Sequence, residues 1–177
     1  MRQVVLALRG LVLAGTVAAG SLSADHYVAK RYGRLEIAPP AGRWEIIDRE
    51  SPQADEAGGP VADLQLRQVV EGVRPVVRIT GVRKLDATVT AESVLRTSRE
   101  ALVEVGGQVD PVRTVRVAGR SLQSSDGRIA PGGQAARSRL VLVEGPKAFF
   151  ILQMVVPAAA FDAAAEALDQ LLSGLSY

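Results

Sequence analysis

KAFFILQMVVPAAAFDAAAEALDQLLSGLSY, residues 147–177, decides the fold. Ala148 to Val156 is a nearly continuous apolar run of strand length, the pattern of a strand covered on both faces, and it belongs at the centre of a sheet. Pro157 ends that run and starts a helix, because a fixed φ and a missing N–H are tolerated in a first helical turn. Phe161, Ala164, Ala165, Leu168, Leu171, Leu172 and Leu175 then recur at helical spacing and make a wide apolar face, while Asp162, Glu166 and Asp169 fall elsewhere on the surface. Gly174 supplies the stop. A buried strand that leads directly into a helix with one broad apolar face implies that sheet and helix share a core.

Upstream, Glu144 to Lys147 reads as a turn, and Arg139, Val141 and Val143 alternate with Leu140 and Leu142 in the strand before it. Val115 and Val117 alternate with Arg116, a pattern that continues less clearly past Gly119 to Leu122. It dissolves in the Gly- and Pro-containing stretch Asp126 to Gln134, which is expected as a long hairpin tip. A helix is expected from Thr90, a capping residue with Glu92 in the positively polarised first turn. Val94, Leu95, Ser98, Ala101, Leu102 and Val105 form its face, and Gly106-Gly107 ends it. Further back, Ala62, Leu64 and Leu66 alternate with polar residues, as do Val77 and Ile79 beyond a turn at Glu71 to Pro75, which predicts an antiparallel hairpin. The polar loop ESPQADEAGGP at 50–60 precedes it, and two short strands, at Leu35 to Ile37 and Trp44 to Ile47, flank the break at Pro39-Pro40 and Gly42. The order strands, helix, strands, helix gives an α+β fold in which an antiparallel sheet has its apolar face covered by helices.

The 177 residues, 47% of them hydrophobic, suit one domain with one core. Met1 to Arg9 holds two arginines and no acid, residues 10–19 are uncharged and apolar, and small residues follow. Residues 1–24 therefore read as a signal peptide cut between Ala19 and Ala24, with an uncleaved N-terminal membrane anchor as the alternative. Residues 25–34 read as an exposed polar lead-in and 35–177 as the single domain. The expected location is periplasmic or extracellular. Removing residues 1–24 takes away Arg2 and Arg9 and leaves 19 basic against 19 acidic side chains, so a nucleic-acid partner is not expected.

The chemistry-bearing residue types are sparse. The chain has no cysteine, which excludes disulfides, thiolate nucleophiles, cysteine metal sites and a lipoprotein anchor. Its one histidine, His26, lies in the lead-in, so neither a Ser-His-Asp arrangement nor a histidine metal site is available. The carboxylate pairs Glu100/Glu104 and Asp162/Glu166 share helical faces and read as solvated surface. No phosphate-binding glycine loop occurs, and Asp126-Gly127 lacks the flanking acids of a calcium loop. No catalytic, cofactor-binding or metal-ligating residue is assigned, and the chain is read as non-enzymatic. Trp44, next to Ile46 and Ile47, reads as a core residue, with an exposed recognition role as the alternative. The tip 126–139 reads as a solvated hairpin or as a partner-binding loop in which Arg128, Arg137 and Arg139 make the contacts.

Four stretches resemble the PsbP/Mog superfamily. LEIAPPAGRWEII at 35–47 is similar to its opening strand with Pro, Gly and Trp, TVTAESVLRTSREALVEVG at 88–106 to its first helix, and VRVAGRSLQS at 115–124 to its "val-x-val-x-Gly" strand. Residues 147–177 resemble its closing strand, Pro, Phe and helix, although Leu175 and Tyr177 depart from the usual Ser-Phe ending. The resemblance implies a PsbP/Mog-like α/β sandwich, in the DcrB-like bacterial branch, and an exported accessory, binding or assembly protein of the cell envelope with a protein partner and no cofactor. Some DcrB-like proteins shield apolar segments of other proteins, so a chaperone or carrier is the alternative function. These motifs are packing motifs and bring no catalytic residue with them.

Overall fold

A computed structural model describes residues 75–176 and, before them, the strands β1 (Tyr27–Ala29), β2 (Leu35–Ile37), β3 (Trp44–Arg49) and β4 (Ala62–Gln68). Residues 1–24, His26, the loop 50–60 and the side chain of Trp44 lie outside the described residues. The chain continues through β5 (Val76–Arg83), α1 (Ala91–Glu104), β6 (Gln108–Val109), β7 (Arg113–Val117), β8 (Arg120–Ile129), β9 (Ala136–Glu144), β10 (Ala148–Pro157), α2 (Phe161–Ser173) and β11 (Leu175–Ser176). Every strand pair is antiparallel. One sheet runs β3-β4-β5-β10-β9-β8-β6, with β7 also on β8, and a small sheet runs β1-β2-β11.

The apolar run at 148–156 occupies the position its composition requires, as β10 between β5 and β9. Its side chains alternate between two cores. Ala148, Phe150, Leu152, Met154 and Val156 pack with Phe161, Leu168, Leu171 and Leu172 of α2, whereas Phe149 packs with Val94 and Leu95 of α1. Leu140 of β9 adds Leu102 of α1 on that second side. The α+β class and the antiparallel sheet stand as the periodicity implied, but the helices cover opposite faces of the sheet rather than one. The reason lies in β9 and β10, whose even and odd residues are both apolar, so each face needs its own cover.

Local chemistry explains the helix ends. Thr90 Oγ1 accepts from the Ser93 N–H at 3.1 Å and Ser93 Oγ accepts from the Thr90 N–H at 2.9 Å, a reciprocal capping box that starts α1. At the other end Gly106, at φ +81°, donates to Val103 C=O and Gly107 donates to Leu102 C=O, each at 2.9 Å. A Cβ on Gly107 would lie 2.6 Å from that carbonyl oxygen and 2.7 Å from Ile129, so only glycine fits the close approach. Since α1 stops at Glu104, Val105 leaves the expected buried face and is half exposed.

The two short strands expected at 35–37 and 44–47 are present, in different sheets: β2 joins β1 and β11, whereas β3 joins β4. Two further expectations are corrected. Tyr27–Ala29, inside the stretch read as an aperiodic lead-in, forms β1 and pairs with β2. Most consequential for the site, Asp126 to Ile129 is not a hairpin tip but the end of β8, paired with β9 from Gln123↔Leu142 through Ile129↔Ala136. The connection shrinks to residues 130–135, where Gly132 and Gly133 take positive φ.

Candidate functional site

The antiparallel register of β8 and β9 places Asp126 opposite Arg139 and Arg128 opposite Arg137, all on the face that α2 covers. The Asp126 carboxylate is 8% exposed, a burial that a carboxylate sustains only with opposite charge and hydrogen bonds around it. Arg139 supplies both, with Nε donating to Oδ1 at 2.8 Å and Nη2 to Oδ2 at 3.1 Å. Arg113, reaching from β7, donates to Oδ2 at 2.8 Å. The two oxygens thus accept three charge-assisted hydrogen bonds.

Helix α2 closes the cluster from above. Arg139 Nη1 lies 3.9 Å from Asp169, and Arg137 lies 3.7 Å above the Phe161 ring while its Nη1 stands 3.8 Å from Asp162. Burial works to lower the Arg139 pKa, but the hydrogen bonds and charge of Asp126, with Asp169 and Asp162, outweigh it and hold the guanidinium more firmly charged. For Asp169 the balance is reversed. Burial raises its pKa, and the opposing pull of Arg139 and Arg113 does not compensate.

The asymmetry has a testable sign. A carboxyl whose pKa is raised by folding contributes stability at low pH that is lost as pH rises through the carboxylate range. Asp169→Asn is expected to unfold at an equal or higher urea concentration than the parent at neutral pH, with the difference shrinking as pH falls below about 4. Urea titrations at stepped pH measure this; a lower midpoint at neutral pH would show that the contact with Arg139 outweighs the burial of Asp169.

The three arginines singled out in the sequence therefore share one face, but not one role. They sit on strands, not on a mobile tip. Arg139 is consumed by Asp126, Arg137 lies against Phe161, and Arg128 is 64% exposed, 3.8 Å from Asp110. Sequence reading missed Asp126 as the partner of Arg139, and Arg113 as the second guanidinium on that carboxylate. The available signal was symmetry, since 126 and 139 stand equally far from the Gly132-Gly133 pair, but it is visible only once β8 is carried through Asp126.

On the opposite side of the sheet a depression of about 420 Å³ lies beside α1, lined by Arg96, Arg99, Glu100, Val103, Glu104 and Val109. Arg96 and Glu100 approach to 4.0 Å, and Arg99 donates to the Asp110 carbonyl at 3.1 Å. Arginine and glutamate side chains of both signs line it together with Val103 and Val109. Among the described residues no cluster of three or more Asp, Glu or His residues could hold a metal ion, and no helix is long and apolar enough to cross a membrane.

No family model matches the chain, and no curated protein matches it in sequence. Solved structures do match in fold. The solution structure of cyanobacterial PsbP from Synechocystis covers 94% of this chain and 98% of its own length at a TM-score of 0.59 and 14% identity. LpqN of Mycobacterium tuberculosis, involved in cell envelope biogenesis, covers 81% and 82% at 0.52 and 13% identity. The Pseudomonas aeruginosa protein PA94 covers 86% and 96% at 0.52 and 15% identity. With both helices, the antiparallel sheet and nearly the full length of the PsbP structure in common, the chain has the PsbP/Mog-like fold.

Proposed function

We propose that the chain is a non-catalytic accessory protein of the bacterial cell envelope, exported through residues 1–24, that works by binding another protein. The observation that carries this reading is the saturation of Asp126. The one deeply buried carboxylate among the described residues has both oxygens occupied by guanidinium groups, which is the arrangement of a structural ion pair and leaves Asp126 itself without a free oxygen to move a proton. The fold shared with LpqN, a protein of cell envelope biogenesis, and with PsbP supports the envelope setting, and the DcrB-like branch is the bacterial grouping we favour.

The test is site-specific photocrosslinking in the native host. A photoreactive residue is placed at Arg128, at Val103 beside α1, at Leu85, which is 77% exposed, and at Thr114, exposed on β7. A discrete adduct with the same protein in repeated experiments, formed from one of these faces and absent from the others, is the expected result. Diffuse or absent adducts from every face would count against a dedicated partner.

A further inference from the structure

We propose that the outer edge of β7 is a docking site for an extended segment of a partner protein in which acidic and aliphatic residues alternate. The proposal rests on the binding role above and specifies its surface. Val117 and Arg120 flank the two-residue turn Ala118-Gly119, whose positive φ values of 50° and 78° are those of a tight hairpin. Residues flanking such a turn form a hydrogen-bonded pair, and pairs alternate along an antiparallel ladder. Val117, Val115 and Arg113 therefore bond inward to β8, while Thr114 and Arg116 direct their N–H and C=O groups away from the sheet.

Among the described residues nothing meets those groups. β7 pairs with β8 only, β6 ends at Val109 and pairs with β8 farther along, and neither Thr114 nor Arg116 has a backbone hydrogen bond outside the strand ladders. An unpaired edge of this kind is a template for an added strand.

The side chains define what would be added. Thr114 and Arg116 share a face with Ser121 and Gln123 of β8, all exposed, and Arg116 has no ion-pair partner among the described residues. No acid lies on β7, so an incoming strand meets uncompensated positive charge on that face. On the other face Val115 and Val117 are half-buried at the margin of the α2 core, where an aliphatic side chain would extend the core. A second copy of β7 fits poorly. Antiparallel pairing about Val115 would set the two Arg116 side chains diagonally on one face, where like charges repel.

The test uses the ¹⁵N-labelled full-length chain and a blocked peptide of alternating glutamate and valine, about six residues long, with a lysine–valine peptide of equal length as control. The glutamate–valine peptide should shift amide signals of residues 111–124 and slow hydrogen exchange at Thr114 and Arg116. Arg116→Glu should weaken its binding by about tenfold or more and improve that of the lysine–valine peptide. Thr114→Pro removes one outward N–H without touching the β8 ladder, and should weaken binding while leaving the unfolding midpoint close to the parent's. Equal binding of the two peptides, shifts centred elsewhere, no binding at millimolar peptide, or dimerisation through β7 would each overturn the assignment. A host partner crosslinked elsewhere would leave the broader binding role standing, so the two failures can be told apart.

Discussion

Arg139→Met is expected to lower folding stability by about 3 kcal/mol, measured by urea unfolding at neutral pH. The cost comes less from the lost ion pair than from what remains. Asp126, 8% exposed beneath α2, would keep only the hydrogen bond from Arg113, whose own side chain is half exposed. A buried carboxylate with one partner is a poor substitute for one with two. The double variant Asp126→Leu/Arg139→Met should therefore recover most of the loss, since two apolar side chains facing α2 need no partner. If the double variant were as unstable as the single, the network's value would lie in its hydrogen bonds and not in the avoidance of an unpaired charge.

Phe161→Ala should cost about 3–5 kcal/mol, the range for deleting a buried aromatic side chain. Phe161 is 2% exposed, opens α2, and presents its ring to Arg137 at 3.7 Å and Arg139 at 5.1 Å. It joins the apolar core to the charged cluster, so its removal should act on both. Phe161→Leu keeps most of the apolar contact and loses the ring, and should cost about 1 kcal/mol more than an apolar exchange alone through the lost cation–π contacts. A double-mutant cycle with Arg137→Met isolates that part. A coupling near zero would show that Arg137 covers Phe161 without attraction to its ring.

Most of the core was legible because it follows from periodicity. The seven positions at Phe161, Ala164, Ala165, Leu168, Leu171, Leu172 and Leu175 are all buried, and the run 148–156 is central. The two-sided cover was harder to read, since β9 and β10 are apolar on both faces and such a run specifies burial without saying by which helix. The charged cluster was obscured by composition. Asp126 and Gly127 read locally as turn formers, yet both are buried in β8, because cross-strand pairing with β9 holds the backbone and the guanidinium groups of Arg113 and Arg139 satisfy the Asp126 carboxylate. The edge of β7 was invisible for another reason: its alternation announces a strand, but whether a strand has one neighbour or two is a property of topology, not of its own sequence.

The central claim, that the chain acts by holding another protein, is tested most directly by native mass spectrometry of the chain released from its host envelope after mild crosslinking. The account predicts a complex of fixed stoichiometry with one other polypeptide, retained by Asp169→Asn, a change on an exposed position of α2 and not on β7. A chain recovered alone, together with hydrolytic turnover of a small-molecule substrate that Asp169→Asn abolishes, would contradict it.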